Sequence, residues 1–226
     1  MDCAIKVFKD DADAAARAEF EKEGKMLALH PHRNFVQLLG TSVDGPKLVL
    51  VTAYMAGGCV RAALGAATTL TWRQRLVAAV GACRGLAFLH DSLKKVHRDV
   101  KPANILLDAT GHRAVLADFG LVREAQTSTG KTDKTGTPLG TGAFMSHEAV
   151  KGKITTAMDV YAMGITLLEL VAGTPAEGVV GGDDLYSEVE EALEELEDGD
   201  AANAIAFLDA RLGCGGGSEI GRASCR

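Results

Sequence analysis

His97-Arg98-Asp99-Val100-Lys101-Pro102-Ala103-Asn104 is followed, fourteen residues after its asparagine, by the aspartate of Ala117-Asp118-Phe119-Gly120. The first stretch sets an acid, a lysine and a carboxamide on one short loop. The second adds another carboxylate in a turn. Either alone is a weak signal; both, in this order and at this spacing, form a strong one. Together they hold the parts that movement of a phosphoryl group requires: a carboxylate near the attacking hydroxyl, a cation on the phosphate and oxygen ligands for magnesium.

Outward from this pair, local patterns place the elements. Residues 3 to 8 alternate through Ile5 and Val7 to Phe8 and read as a short strand. Asp10, Asp11 and Asp13 precede a helical stretch reaching about Leu29, and acids at a helix N-terminus are favoured by the macrodipole. Phe20, Glu23 and Leu27 share one face of that helix. A glutamate on an apolar face needs a cationic partner, and Lys6 is the natural one. Phe35 to Leu39 and Lys47 to Thr52 read as the next two strands, and the glycines of Ala53 to Gly58 mark a hinge. Thr71 to Gln74 is a capping-box pattern. It opens a helix whose apolar residues Leu76, Val80, Cys83 and Leu86 or Ala87 run on to about His90. Short strands are expected at Ile105 to Leu107 and Val115 to Ala117, helices at Thr156 to Ala172 and Glu188 to Glu197. Arg123 to Pro138 is rich in Thr, Ser, Gly and Lys without periodicity and reads as a flexible loop.

Bulk composition sets bounds. The 226 residues suit one domain with a substantial core, and 47% apolar with 24% charged residues is ordinary for a globular chain. A net charge of −6 gives no reason to expect nucleic-acid binding. The five cysteines lack metal-ligand spacing, and their odd number without a signal peptide points to reduced thiols and a cytoplasmic setting. The longest apolar run carries Asp159 and Glu169 and is too short to span a bilayer.

Further segments join the two motifs: Ala4-Ile5-Lys6, the helix around Glu23, Gly140 to Val150 (GTGAFMSHEAV) and Asp159 to Gly173 (DVYAMGITLLELVAG). With these the chain resembles a eukaryotic protein kinase domain over about residues 3 to 213. HRNFVQLLG and LVTAYMAGG bring it closest to the receptor-like and interleukin-receptor-associated serine/threonine kinases. The resemblance implies an α+β, two-lobed fold. Residues 1–55 form a small lobe reduced to the family's third, fourth and fifth strands and helix C, with the hinge. Residues 56–213 form a mainly α-helical, truncated large lobe. Residues 214–226, ending in EIGRASCR, read as a disordered and artefactual tail.

It also implies roles. Asp99 accepts or orients the substrate hydroxyl proton, and Lys101 neutralises the γ-phosphate of ATP and marks serine/threonine specificity. Asn104 and Asp118 bind Mg²⁺. Lys6 holds the α- and β-phosphates and pairs with Glu23. Met55 meets adenine after Ala53 in the hinge, Thr52 gates the pocket behind, and Ala4 and Leu106 sandwich the ring. Leu27, His97 and Phe119 stack into a column between the lobes. Asp159 caps the catalytic-loop backbone, and Glu148 is the glutamate closing the activation segment, where Met-Ser-His-Glu replaces Met-Ala-Pro-Glu. Arg98 beside Asp99 suggests control by a phosphate on the activation loop, with Thr135 first and Thr137 second in preference. Partners are a protein substrate and an upstream receptor or adaptor. No glycine-rich phosphate loop precedes Lys6, so the 226 residues as written are expected to be impaired, as an inactive fragment or a kinase-shaped binding module.

Overall fold

A computed structural model of the chain describes residues 2–8, 14–42, 47–64, 70–125, 142–146, 149 and 153–173. Thr135, Thr137, Glu148, the expected helix at Glu188 to Glu197 and the tail from 214 lie outside the described residues.

Strands β1 (Cys3–Val7), β2 (Leu38–Ser42) and β3 (Val49–Ala53) form an antiparallel sheet in the order β1-β3-β2. The register sets Ala4 opposite Thr52 and Lys6 opposite Leu50. Ile5 and Val7 are 61% and 50% exposed, so this strand's apolar side chains lie largely uncovered. Helix α1 (Ala14–Leu29) crosses the sheet and buries Phe20, Glu23 and Leu27, the face that their spacing defines. The Phe20 ring packs 5.2 Å from that of Phe8.

The second strand starts later than its apolar run suggests. Phe35 and Val36 are buried, but the bonds on either side of Phe35 go to Leu116: Val36 N–H donates to Leu116 O, and Leu116 N–H donates to Asn34 O, both at 2.8 Å. Pairing with β3 begins only at Leu38. An apolar run reports burial and is silent on which partner supplies the hydrogen bonds.

The second group of elements follows: β4 (Gly58–Cys59), α2 (Val60–Leu64), α3 (Trp72–Ala87) with a π-helical turn at Phe88–Ser92, β5 (Lys95–Val96), a 3₁₀ turn at Pro102–Asn104, β6 (Ile105–Leu107), β7 (Ala114–Leu116), β8 (Arg123–Glu124) and α4 (Thr156–Ala172). Strands β4, β6 and β7 form one antiparallel sheet with β6 central, and β5 pairs with β8. The first residues of the expected flexible loop, Arg123 and Glu124, are therefore held in a ladder.

Helix α3 opens with the capping box: Thr71 Oγ1 accepts from Gln74 N–H at 3.3 Å, and Thr71 N–H donates to Gln74 Oε1 at 3.0 Å. Its packing departs from the expectation at three residues, while Leu86 is buried as expected. Leu76, Val80 and Cys83 are exposed, whereas Ala78, Gly81, Ala82, Gly85 and Leu86 are buried. A Cβ on Gly81 would meet Ala114 Cβ and O at 2.8 Å, so only a small-residue face lets α3 press against β7. Helix α4 ends on Gly173 at φ +73°, whose N–H donates to Glu169 O at 2.8 Å, the left-handed cap that glycine adopts without a Cβ clash. No described helix is long and apolar enough to cross a membrane, and the described cysteines are free.

Candidate active site

The loop carrying Asp99 is held from beneath. Asp159, in the first turn of α4 and 1% exposed, accepts from His97 N–H at 2.7 Å through Oδ2 and from Arg98 N–H at 2.8 Å through Oδ1. His90 Nε2 lies 2.7 Å from the same Oδ2. These bonds accompany a strained backbone: Arg98 sits at φ +74°. A non-glycine residue there costs about 1–3 kcal/mol and persists only where its surroundings impose it.

On the loop itself, Lys101 Nζ lies 3.0 and 2.8 Å from the two carboxylate oxygens of Asp99. Asn104 Nδ2 donates to Asp99 O at 2.8 Å and to Asp99 Oδ2 at 2.9 Å. The carboxamide nitrogen is thereby committed to Asp99. Asn104 O accepts from Ala117 N–H at 2.9 Å, which fastens this loop to the residue before Asp118. Asp118 is the second residue of the site with a positive φ, at +63°.

Lys6 closes the arrangement from the first sheet. Its Nζ donates to Glu23 Oε2 at 2.8 Å and to Asp118 Oδ1 at 3.0 Å. The other Glu23 oxygen accepts from Phe119 N–H at 3.3 Å. One strand, one helix and one turn thus meet at a single ammonium. Burial alone would lower the Lys6 pKa, but the Glu23 carboxylate and then that of Asp118 outweigh it and hold the value above the ordinary one. Phe119 is fully buried, its ring 5.1 Å from His97 and 4.6 Å from Phe35. Leu27 is buried as well. Phe35, which the sequence reading left in a strand, is therefore part of the aromatic column.

The residues expected around adenine come from both sheets. Ala4 and Thr52 face each other across β1 and β3, Ala53 N–H donates to Gln37 O at 2.9 Å, and Leu106 lies half-buried in β6. Met55 O accepts from Gly58 N–H at 2.9 Å, so the hinge closes on a turn at this residue.

A basic cluster surrounds Arg98 that local spacing did not reveal. Lys22 from α1, with Arg98, Arg123 and Lys95, forms a group of mutually repelling cations. Burial, then Arg123, Lys95 and Arg98, push the Lys22 pKa down. Burial and then Arg123 do the same to Arg98, with Glu19 and Asp159 opposing. Arg98 Nε is buried without a hydrogen-bond partner.

Lys6, Glu23 and Asp118 thus meet at one joint, and the loop that sets Lys101 and Asn104 on Asp99 is tied to it through the backbone bond between Asn104 and Ala117. The chain belongs to the protein kinase family: the family described as protein tyrosine and serine/threonine kinase matches residues 1–203. It is 37% identical over 214 residues to the probable serine/threonine-protein kinase PBL2 of Arabidopsis thaliana, covering 93% of this chain and 49% of that protein. It is 40% identical over 165 residues to the receptor protein kinase WSS1 of Oryza sativa subsp. japonica, covering 69% of this chain and 18% of that one. The calmodulin-binding receptor-like cytoplasmic kinase 3 of Arabidopsis thaliana is 36% identical over 175 residues, 75% of this chain and 34% of the relative. The chain spans about half the length, or less, of these curated relatives.

Proposed function

We propose that the protein containing this chain is a serine/threonine protein kinase that transfers the γ-phosphoryl group of ATP to hydroxyls of a protein substrate. The observation that carries this reading is the Asp99–Lys101–Asn104 network fastened to the Lys6–Glu23–Asp118 joint. Asp99 orients the substrate hydroxyl and takes its proton, and Lys101 beside it neutralises charge on the phosphate being moved. Lys6 holds the inner phosphates, positioned by Glu23. Ala4 and Leu106 flank the base, and Thr52, Ala53 and Met55 line its edge.

The donors fit magnesium. The amide nitrogen of Asn104 is taken up by Asp99, which leaves the carboxamide oxygen for a cation, and Asp118, its side chain 47% exposed, binds Lys6 through one oxygen only. Asn104 and Asp118 would hold the ion, which when bound supplies neutralisation of phosphate charge. Two protein oxygens suffice, because magnesium keeps waters and phosphate oxygens in its shell.

Regulation follows from the basic cluster. A phosphate on Thr135, or next Thr137, carrying about −1.5 to −2 charges, pairs with Arg98 and relieves the repulsion among Arg98, Lys22 and Arg123. Glu148 closes the activation segment, and Asp159 holds the loop without touching substrate. The setting is cytoplasmic, downstream of a receptor or adaptor; the names of the relatives support this, as do the free thiols among the described cysteines.

The test is phosphorylation of a serine-containing peptide by the full-length protein with ATP and magnesium. Asp99→Asn should lower kcat by about 10²–10⁴-fold. Full turnover in that variant, or nucleotide binding without any turnover in the unaltered protein, overturns the reading; the latter marks a kinase-shaped binding module. Mass spectrometry of the active protein should find phosphate between Thr127 and Thr137, and its absence there refutes the regulatory part.

A further inference from the structure

The outer face of α3 shares no residue with the cleft and has the makeup of a binding surface. Arg73, Leu76, Val77, Val80 and Arg84 recur at helical spacing along it. Leu76 is 61% and Val80 45% exposed, while the glycines and alanines of the opposite face are buried. Together with Arg33 and Arg113 they line a groove of about 570 Å³.

Charge singles out this groove. Four guanidiniums border it, in a chain whose net charge is −6. Among the described residues none of the four makes an ion pair with a carboxylate, although arginines elsewhere do, as Arg17 with Glu21 and Arg61 with Glu169. Arg113 is fixed: its Nε and Nη2 both donate to Arg33 O, at 3.2 and 3.0 Å. Five donors on a guanidinium leave three beyond that fork. Arg33 and Arg113 also border a second hollow of about 550 Å³ towards the end of α1 and β2, so the concavity continues past them.

The groove also holds an unmet acceptor. Asn34, 6% exposed, is part of its lining; Nδ2 donates to Ala114 O at 2.9 Å, but Oδ1 is buried without a partner among the described residues. A buried acceptor left so is costly.

We propose that this face docks an acidic peptide segment of a partner protein. Its aliphatic side chains cover Leu76, Val77 and Val80, and its carboxylates pair with Arg33, Arg73, Arg84 and Arg113. A bare polyanion satisfies the arginines but leaves the apolar floor in water, and an uncharged apolar peptide does the reverse. Only alternation of acid and aliphatic residues answers both.

The test uses the full-length protein and a fluorescein-labelled peptide of sequence DELEEILDDL, read by anisotropy. Binding is expected at a Kd on the order of micromolar, weakening with added salt. Arg73→Ala with Arg84→Ala should weaken it about tenfold, and Leu76→Ser with Val80→Ser by a similar factor. All four positions lie on a helix surface, so the variants fold, and phosphorylation of a short peptide substrate by them stays at its normal rate. Binding that neither pair of substitutions changes overturns the proposal, as does no binding. Equal or tighter binding of single-stranded DNA or of phosphatidylserine vesicles overturns it in favour of a general polyanion surface. Self-association that disappears in Arg84→Glu assigns the face to a second copy and overturns it too.

Discussion

Asp159 and Asp118 are the same chemical group held in opposite ways. The first lies under the catalytic loop, 1% exposed, with two backbone N–H groups and the His90 ring on its oxygens. The second stands at the mouth of the cleft, its side chain 47% exposed, with one oxygen on Lys6. An ionised carboxylate accepts about four hydrogen bonds. Below the loop that capacity is used on the chain itself; at the mouth it is kept open. The floor is spent on holding the chain, and under the proposed function the rim is left for ligands, so the two demands fall on different residues.

That contrast is open to attack by mutation. Asp159→Ala strips the acceptors from two buried N–H groups and should cost about 3–5 kcal/mol in urea unfolding. A loss under about 1 kcal/mol would erase the distinction between floor and rim. Gly81→Ala probes the floor differently: its methyl meets Ala114 at 2.8 Å, and overpacking of this kind costs about 1–3 kcal/mol. Lys6→Met reaches the border of the two regions. It leaves Glu23, its side chain 5% exposed, with the Phe119 N–H alone, and should cost about 1–2 kcal/mol. Asp118→Asn removes only half-exposed charge at the rim, so the melting temperature should hardly move, since such pairs contribute about 0–1 kcal/mol. Peptide phosphorylation should nevertheless fall by about 10²-fold or more. Equal damage to stability and activity in this variant would place Asp118 with the floor.

The smallest expected effect lies outside both regions. Slight burial would raise the Asp108 pKa, but hydrogen bonds from Arg113, Thr110, His112 and Gly111 hold it below its ordinary value of 3.8. A depressed carboxylate pKa contributes stability that is present above the unfolded value and lost as pH falls through the folded one. The stability difference between the unaltered protein and Asp108→Asn should therefore be constant from neutral pH down to about 4 and shrink below it. Unfolding curves recorded across that range check the sign.

What could be read before any coordinates were the features with short-range causes. The helix bearing Glu23, the Thr71 capping box and α4 are written in spacings of a few residues, and the structure has them at those places. The loop and turn holding Asp99 and Asp118 stand out by residue type, and a bond between Asn104 O and Ala117 N–H joins them. The rest depends on what comes from far away. Leu76 and Val80 match a helix core pattern, but β7 presses so close to α3 that only glycine and alanine fit between, and the larger residues face outward. Phe35 looks like strand until Leu116 supplies its neighbours' bonds. Lys22 gathers with Arg98 and Arg123 because β8 pairs with β5 and Arg123 reaches Glu19 of α1, which no local count shows.

The Lys6 joint has one more consequence. Its ammonium has three N–H donors, and two are placed on Glu23 and Asp118. Under the proposed function, a cation drawing on Asp118 or an anion drawing on Lys6 would compete with the grip that α1 has on the turn, and occupancy of the site and the setting of the helix would be coupled. The nitrogen works as a clutch. Without its charge, as after acetylation or in Lys6→Met, strand, helix and turn lose the one contact they share.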